Sequence, residues 1–187
     1  TANFFCGIWA ITLIFKDMYH HAALVILLSM LFDFMDGHIA RLSKAITPFG
    51  TQYDSLSDLV SFGVAPGLLV YRMIVSGTGR LGLGIFFIYA VSVALRLARY
   101  NATANMNDKK HFTGLPCPAA AGIIASSVLA AEKFHYNHLL IALPFLMVIL
   151  AYVMVSNITY QRLNAFIWKK DFLHLVFIVI AAAAFLF

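Results

Sequence analysis

Long apolar runs separated by short polar breaks follow one another along nearly the whole chain. Most of these runs are long enough to cross about 30 Å of hydrocarbon as an α-helix, and a helix satisfies its own backbone hydrogen bonds inside a bilayer. The pattern predicts an all-α fold, a polytopic transmembrane helical bundle with about seven spans. Their expected bounds are about 2–15, 22–41, 50–74, 81–100, 114–131, 137–156 and 172–187.

The composition agrees with a membrane protein that has no separate soluble domain. Of 187 residues, 62% are hydrophobic and 11% are charged, whereas a soluble domain carries about a quarter charged residues. The mean hydropathy is +0.87. We therefore expect residues 1–187 to form a single transmembrane domain surrounded by membrane lipid. Thr1 enters directly into apolar sequence without an initiator Met, so an N-terminal segment is expected to be missing.

The basic residues indicate how the spans are oriented. Nine of the thirteen Lys and Arg residues fall near the even-numbered connections and the others near the odd-numbered ones. By the positive-inside rule, the connections 42–49, 101–113 and 157–170 face the cytoplasm and the C-terminus lies outside. Since the basic residues form no single patch, no nucleic-acid partner is expected. Cys6 and Cys117 lie far apart in apolar surroundings, which indicates structural thiols.

Four aspartates stand out in two otherwise apolar spans. Asp33, Asp36, Asp54 and Asp58 are half of the eight acidic residues and fall within 26 positions. A carboxylate at membrane depth costs several kcal/mol unless it is paired, metal-bound or facing water, so such residues usually mark a functional site. The alternative is a set of buried ion pairs with the arginines of neighbouring spans, Arg41, Arg96 and Arg99.

The spacing of the aspartates favours a metal site. Asp33 and Asp36 are three residues apart, and Asp54 and Asp58 are four apart, so each pair projects from one face of its helix. Two facing pairs would form a cage of carboxylate oxygens, which suits a hard cation such as Mg²⁺ or Mn²⁺. The cage would have room for two ions.

Small residues share the aspartate-bearing faces. Gly37 and Gly50 remove side chains where a phosphate ligand could approach the backbone, and Ala40 keeps the same face shallow. Arg41 adds a cation beside the carboxylates. Glycines also serve helix packing in membranes. These two glycines indicate a ligand site only because they lie on the same helix faces as the aspartates.

Read in full, this segment resembles the signature of the CDP-alcohol phosphatidyltransferase family. The matching positions are Asp33-x2-Asp36-Gly37-x2-Ala40-Arg41-x8-Gly50-x3-Asp54-x3-Asp58. The resemblance implies a bundle with a six-helix core, usually a homodimer, in which the active site opens on the cytoplasmic leaflet. It also implies that divalent metal holds a cytidine diphosphate lipid, in an enzyme of the cell membrane, which we expect to be prokaryotic.

The resemblance assigns roles to these positions. Three aspartates, Asp33, Asp36 and Asp54, are implied as metal ligands, and Asp58 is implied as the general base, close to the metal. The CDP-lipid is expected to contact Gly37, Ala40, Arg41, Thr47 and Gly50. Thr47 precedes Pro48, so a turn role fits it equally well.

Further stretches resemble the branch of this family that uses serine as the acceptor: Asn3–Gly7, Asp58–Pro66, Phe112–Ala120 and Met154–Tyr160. They imply transfer of a phosphatidyl group from CDP-diacylglycerol to L-serine, with release of CMP. Arg96 or Arg99 could bind the serine carboxylate, although arginines also gather at cytoplasmic helix ends for topological reasons. Asn101, Asn157 and Tyr160 could line the same cavity.

Three alternatives remain open at the level of sequence. Another acceptor, such as glycerol phosphate, inositol phosphate or inositol, would use the same signature, although phosphorylated acceptors call for a denser basic cluster. A cation transporter also carries intramembrane carboxylates, near the midplane and accessible from both sides. A structural membrane subunit could bind metal without chemistry.

Overall fold

The computed structural model describes residues 2–42, 47–75, 79–104, 111–134, 137–156 and 159–161. The α-helices are α1 (Ala2–Phe15), α2 (Tyr19–Leu42), α3 (Pro48–Asp58), α4 (Ala65–Val70), α5 (Arg80–Ala104), α6 (Cys117–Phe134) and α7 (Asn137–Val155). The segments Leu59–Val64 and Tyr71–Val75 are π-helical, and the two short strands are β1 (His111–Thr113) and β2 (Thr159–Gln161).

These helices confirm the predicted all-α class and six of the seven predicted spans. The third span is one helical rod, in which α3, the first π segment, α4 and the second π segment follow without a break, because the joining residues all keep right-handed helical dihedrals. Among the described residues, three helices are long and apolar enough to cross a membrane, Tyr19–Ile39, Arg80–Ala102 and Cys117–Phe134. Residues 172–187, the predicted seventh span, lie outside the described part of the chain.

One apolar core runs through the bundle. α1 packs on α2, α2 on α6, and α5 on α7, and the fully buried residues include Ile14, Ile26, Phe62 and Leu143. Small side chains let the helices approach closely, as is common in membranes. At Gly122 on α6, for example, an added Cβ would lie 3.0 Å from the thioether of Met30 on α2.

The third span changes its winding at a proline. In a regular α-helix the carbonyl of Phe62 would accept from the backbone N–H of residue 66, but Pro66 has none. The hydroxyl of Tyr89 on α5 donates to that carbonyl at 3.1 Å, and the Tyr89 side chain is fully buried. Thus a side chain from the neighbouring helix supplies a bond that the local sequence cannot make.

Replacing Tyr89 with phenylalanine should therefore destabilise the bundle, because the Phe62 carbonyl would lose its donor in a dry core. We expect a loss of about 1 kcal/mol, seen as a lower midpoint of thermal unfolding in detergent. Tyr152→Phe is the matched control, since Tyr152 is 74% exposed on α7. Equal midpoints for the two variants would contradict this role of Tyr89.

The two short strands connect distant parts of the sequence. β1 and β2 pair antiparallel, with His111 opposite Gln161, Phe112 opposite Tyr160 and Thr113 opposite Thr159. The chain then turns at Gly114, whose φ is 83°. An added Cβ there would collide with the carbonyl oxygen of Met154, so this close approach requires glycine. The pairing was not predicted from sequence.

At the other end of the bundle, an exposed ion pair joins the turn between α1 and α2 to the third span. The Tyr19 hydroxyl donates to Asp17 at 2.7 Å, and Arg72 Nη2 donates to the same carboxylate at 3.2 Å. The Tyr19 hydrogen bond and the Arg72 charge hold the pKa of Asp17 below its ordinary value. Because the carboxylate is exposed, the pair adds little to stability.

Candidate active site

Three of the four predicted aspartates come together between α2 and α3. Carboxylate oxygens of Asp33, Asp54 and Asp58 all lie within 4.8 Å of one another. Asp33 and Asp58 are half-buried, whereas Asp54 is exposed. The cluster is thus partly shielded at Asp33 and Asp58 and has an open side at Asp54, as expected for a site that must admit a ligand.

Asp36 lies one helical turn beyond Asp33 on α2 and is half-buried. Its oxygens are not among those gathered within 4.8 Å. Its predicted role as a fourth ligand therefore stays a prediction, and the described group is a cage of three carboxylates.

The cluster lies part of the way into the bundle. Asp33 is nine residues before the end of α2, and Asp58 ends α3, ten residues after Pro48. At 1.5 Å per residue, both side chains sit about 15 Å from the helix ends that flank the connection 43–46. The third span continues beyond Asp58 to Val75, so the cluster is closer to one end of the bundle than to the other.

Asn3 on α1 holds Asp58 in place. Asn3 Nδ2 donates to Asp58 Oδ1 at 2.8 Å, and the Asn3 side chain is only 2% exposed. One turn beyond Asp58, the Ser61 hydroxyl donates to the Asn3 backbone carbonyl at 2.9 Å. Gly7 permits this approach, since an added Cβ would lie 3.0 Å from Ser61 Cα. Sequence reasoning missed Asn3 as a site residue, although a polar residue in an apolar helix was the signal.

The start of α3 is fixed by a cap. Thr47 is the N-cap, and its hydroxyl accepts from the Gly50 backbone N–H at 3.0 Å, while Pro48 occupies the first turn, where its missing N–H does no harm. The turn role considered for Thr47 is thus present in the structure. A contact of Thr47 or Gly50 with phosphate stays a prediction.

The remaining predicted donor-binding residues are on α2. Gly37 is half-buried on the turn that follows Asp33. Ala40 and Arg41 belong to the last turns of the helix, and their side chains lie outside the described part. Their predicted contacts with the CDP-lipid stay predictions.

Side-chain hydrogen bonds connect α3 to α5 beside the cluster. Asn101 Nδ2 donates to Ser55 Oγ at 3.0 Å and to Gln52 Oε1 at 3.2 Å. The Ser55 hydroxyl also donates to the Thr51 carbonyl at 3.1 Å. Asn101, predicted as a lining residue of the serine site, is therefore used to hold the helix that carries Asp54 and Asp58.

Arg96 on α5 is a cation without a carboxylate partner among the described residues. Its Nη1 donates to the Cys117 thiol at 3.2 Å, and its buried Nε has no hydrogen-bond partner in the described part of the chain. The thiol is free and buried, as predicted, but its contact with Arg96 was not foreseen.

The stretches that resemble the serine-using branch meet near Arg96. Phe112–Ala120 contains both β1 and Cys117, and Met154–Tyr160 runs from the end of α7 into β2. Tyr160 is opposite Phe112 in the strand pair, whereas Asn157 lies outside the described residues. Arg99, the second candidate for the serine carboxylate, is half-buried one turn beyond Arg96.

The donor set of the aspartate cluster fits a divalent metal ion. Three carboxylates supply hard oxygen ligands with no thiolate or imidazole, as Mg²⁺ and Mn²⁺ prefer. Among the described side chains, no arginine forms an ion pair with Asp33, Asp54 or Asp58. The ion-pair alternative is thus not seen for these three aspartates among the described side chains, which do not include that of Arg41.

Known proteins are similar to this chain over most of its length. Residues 1–155 match the family model described as CDP-alcohol phosphatidyltransferase. A protein named CDP-diacylglycerol–serine O-phosphatidyltransferase from Helicobacter pylori is 33% identical over 183 residues, covering 96% of this chain and 77% of that protein. A Bacillus subtilis protein of the same name is 34% identical over 160 residues, covering 86% and 85%. An archaetidylserine synthase from Methanothermobacter thermautotrophicus is 36% identical over 160 residues, covering 84% and 65%.

Proposed function

The chain belongs to the CDP-alcohol phosphatidyltransferase family, and we propose that it transfers the phosphatidyl group of CDP-diacylglycerol to the hydroxyl of L-serine, releasing CMP. The observation that carries the reaction type is the cage of Asp33, Asp54 and Asp58, whose oxygens lie within 4.8 Å of one another. These are signature aspartates, and they lie on two helices of a membrane bundle where a lipid donor can reach them.

Serine as the acceptor is supported by two independent observations. Relatives from bacteria and archaea that cover most of this chain are named as serine or archaetidylserine transferases. Within this chain, Arg96 has a buried Nε without a partner among the described residues. A guanidinium with a free N–H donor can form a charge-assisted hydrogen bond to a carboxylate. Serine has a carboxylate and inositol does not.

The aspartate cluster would hold a divalent cation, Mg²⁺ or Mn²⁺, with Asp33, Asp54 and Asp58 around it and Asp36 completing the set. Such an ion supplies charge neutralisation for the pyrophosphate of the donor. Gly37, Ala40, Arg41, Thr47 and Gly50 are proposed to contact the nucleotide and its phosphates. The number of ions, one or two, is part of the proposal.

In the proposed reaction, Asp58 accepts the proton of the serine hydroxyl as the serine oxygen attacks the phosphorus attached to diacylglycerol. A new bond forms between that oxygen and phosphorus, the bond from phosphorus to the CMP oxygen breaks, and CMP leaves with the bonding electrons. Arg96 orients serine through its carboxylate. No covalent enzyme intermediate is required.

The alternatives differ in what they explain. A cation transporter accounts for the carboxylates but not for membership in a family of transferases. Glycerol phosphate or inositol phosphate as acceptor would add a phosphate near the C-terminal half of α5, which carries Arg96 and Arg99. The single carboxylate of serine needs only one of these arginines, whereas a phosphate group carries more negative charge to be neutralised.

We further propose that the open side of the cluster faces the cytoplasm, as the distribution of basic residues indicates, and that the protein works as a homodimer in the cell membrane. The apolar side chains on the outside of the helices, such as Phe87, Phe145 and Tyr152, leave ample surface for lipid and for a second copy.

The test is an assay of purified protein in detergent or nanodiscs with CDP-diacylglycerol, Mg²⁺ or Mn²⁺, and a panel of alcohols. We expect CMP release with L-serine and much less with glycerol phosphate, inositol phosphate or inositol. A chelator should stop the release, and added Mn²⁺ or Mg²⁺ should restore it. Release that depends on a different alcohol would replace serine as the acceptor, and no release with any alcohol would overturn the transferase assignment.

A further inference from the structure

We propose that Asn3 is a positioning residue for catalysis, which fixes one oxygen of the Asp58 carboxylate and thereby orients this carboxylate for the reaction. The proposal rests on the proposed function in one respect, because it takes Asp58 as the general base. It adds a residue from the first helix to a site otherwise formed by α2 and α3.

The contact is well defined. Asn3 Nδ2 lies 2.8 Å from Asp58 Oδ1, within the usual range of an N–H···O hydrogen bond. When Asp58 is ionised, its carboxylate can only accept, so the amide must turn its N–H toward Asp58. This bond fixes the position of Oδ1 and with it the orientation of the carboxylate.

The backbone around Asn3 is fixed as well. The Ser61 hydroxyl donates to the Asn3 carbonyl at 2.9 Å, and Ser61 is fully buried. Ser61 lies three residues after Asp58 on the third span. Asn3 on α1 therefore forms hydrogen bonds with both ends of one helical turn of that span. If the Asp58 side chain rotated, it would lose its hydrogen bond to Asn3 Nδ2, because the Asn3 backbone is held in place and the amide could not move with it.

Helix packing alone does not account for this residue. Asn3 Oδ1 is buried without a hydrogen-bond partner among the residues the structure describes, and such an acceptor is unfavourable for folding. An apolar side chain would serve packing better. The bond to Asp58 is the contact that an apolar residue could not supply.

The first experiment compares Asn3→Ala with the parent enzyme in the serine-dependent assay. We expect kcat to fall about tenfold, as for other residues that orient a reactive group, with KM for serine and for CDP-diacylglycerol within about twofold. Mn²⁺ affinity, measured by electron paramagnetic resonance without substrates, should change by less than about threefold. A raised KM for donor or a lost Mn²⁺ site would make Asn3 part of ligand binding and overturn the positioning role.

Two further variants separate positioning from folding. Ser61→Ala removes the neighbouring bond between α1 and the third span but not the bond to Asp58, so its kcat should fall clearly less than that of Asn3→Ala. If it loses as much as Asn3→Ala, helix docking explains the loss and the proposal fails. Asn3→Asp keeps the size of the side chain but removes the donor, so it should lose at least as much kcat as Asn3→Ala.

A double-mutant cycle with Asp58→Asn decides whether Asn3 acts through Asp58. In the Asp58→Asn background, adding Asn3→Ala should lower the residual rate by less than about twofold. A further tenfold loss in that background would overturn the proposal. Failure of the proposed function has a different signature: the parent would release no CMP with serine, or Asp58→Asn would have no effect on the rate.

Discussion

Replacing Asp58 with asparagine is expected to lower kcat for serine-dependent CMP release by about two to four orders of magnitude, the range that general-base catalysis contributes. The change keeps the shape of the side chain. The introduced amide still has an oxygen that can accept from Asn3 Nδ2, now 2.8 Å from Asp58 Oδ1, so α1 should stay docked. Asp33 and Asp54 remain to hold the metal ion, and donor affinity should be largely intact.

The matched control is Asp17→Asn, which makes the same chemical change in the exposed turn between α1 and α2. Its ion pair with Arg72 spans 3.2 Å and, being exposed, adds little to stability. Turnover should therefore stay near that of the parent. Unchanged turnover in Asp58→Asn would remove Asp58 as the base, and weakened donor binding would show that its roles at metal and substrate are not separable.

The periodic part of the fold was predictable because hydrophobic runs of membrane length leave little choice of structure. Six spans were predicted within a few residues of their observed bounds, for example 137–156 against Asn137–Val155. The grouping of Asp54 with Asp58 also followed from sequence, since a spacing of four residues fixes a common helix face, whereas Asp36, three residues after Asp33, is not among the oxygens gathered within 4.8 Å. These inferences depend only on local geometry.

What the sequence did not predict depends on contacts between distant segments. The hydrogen bond from Asn3 to Asp58 joins residues 55 positions apart. The local sequence around Asn3 therefore does not predict which residue it contacts. The pairing of β1 with β2 joins three-residue strands, too short to carry a periodic signal. The bond from the Tyr89 hydroxyl to the Phe62 carbonyl likewise joins two different helices.

The site proposed for the acceptor combines both kinds of inference. Arg96 and Arg99 are both candidates from sequence, and the structure describes what surrounds Arg96. Arg96 donates to the buried Cys117 thiol and keeps an unpartnered Nε among the described residues. A thiol is a weak acceptor, so the guanidinium retains capacity for an anion. We therefore favour Arg96 for the serine carboxylate.

Replacing Arg96 with glutamine should accordingly raise the KM for serine by one to two orders of magnitude, because a charge-assisted hydrogen bond worth about 1.5–3 kcal/mol would be lost. The KM for CDP-diacylglycerol should barely change, since the donor is held on α2 and α3. Arg99→Gln is the matched control, with the same chemical change one turn along α5, and it should raise the serine KM much less.

Ethanolamine separates recognition of the carboxylate from a general disturbance of the site. It has the hydroxyl and the amine of serine but no carboxylate, so it should be a poor acceptor for the parent enzyme. Arg96→Gln should change its weak activity far less than it changes the activity with serine, because the lost bond is one that ethanolamine never makes. If both substitutions leave serine kinetics normal, the carboxylate is bound elsewhere, and the loop lysines Lys109 and Lys110 become the next positions to replace.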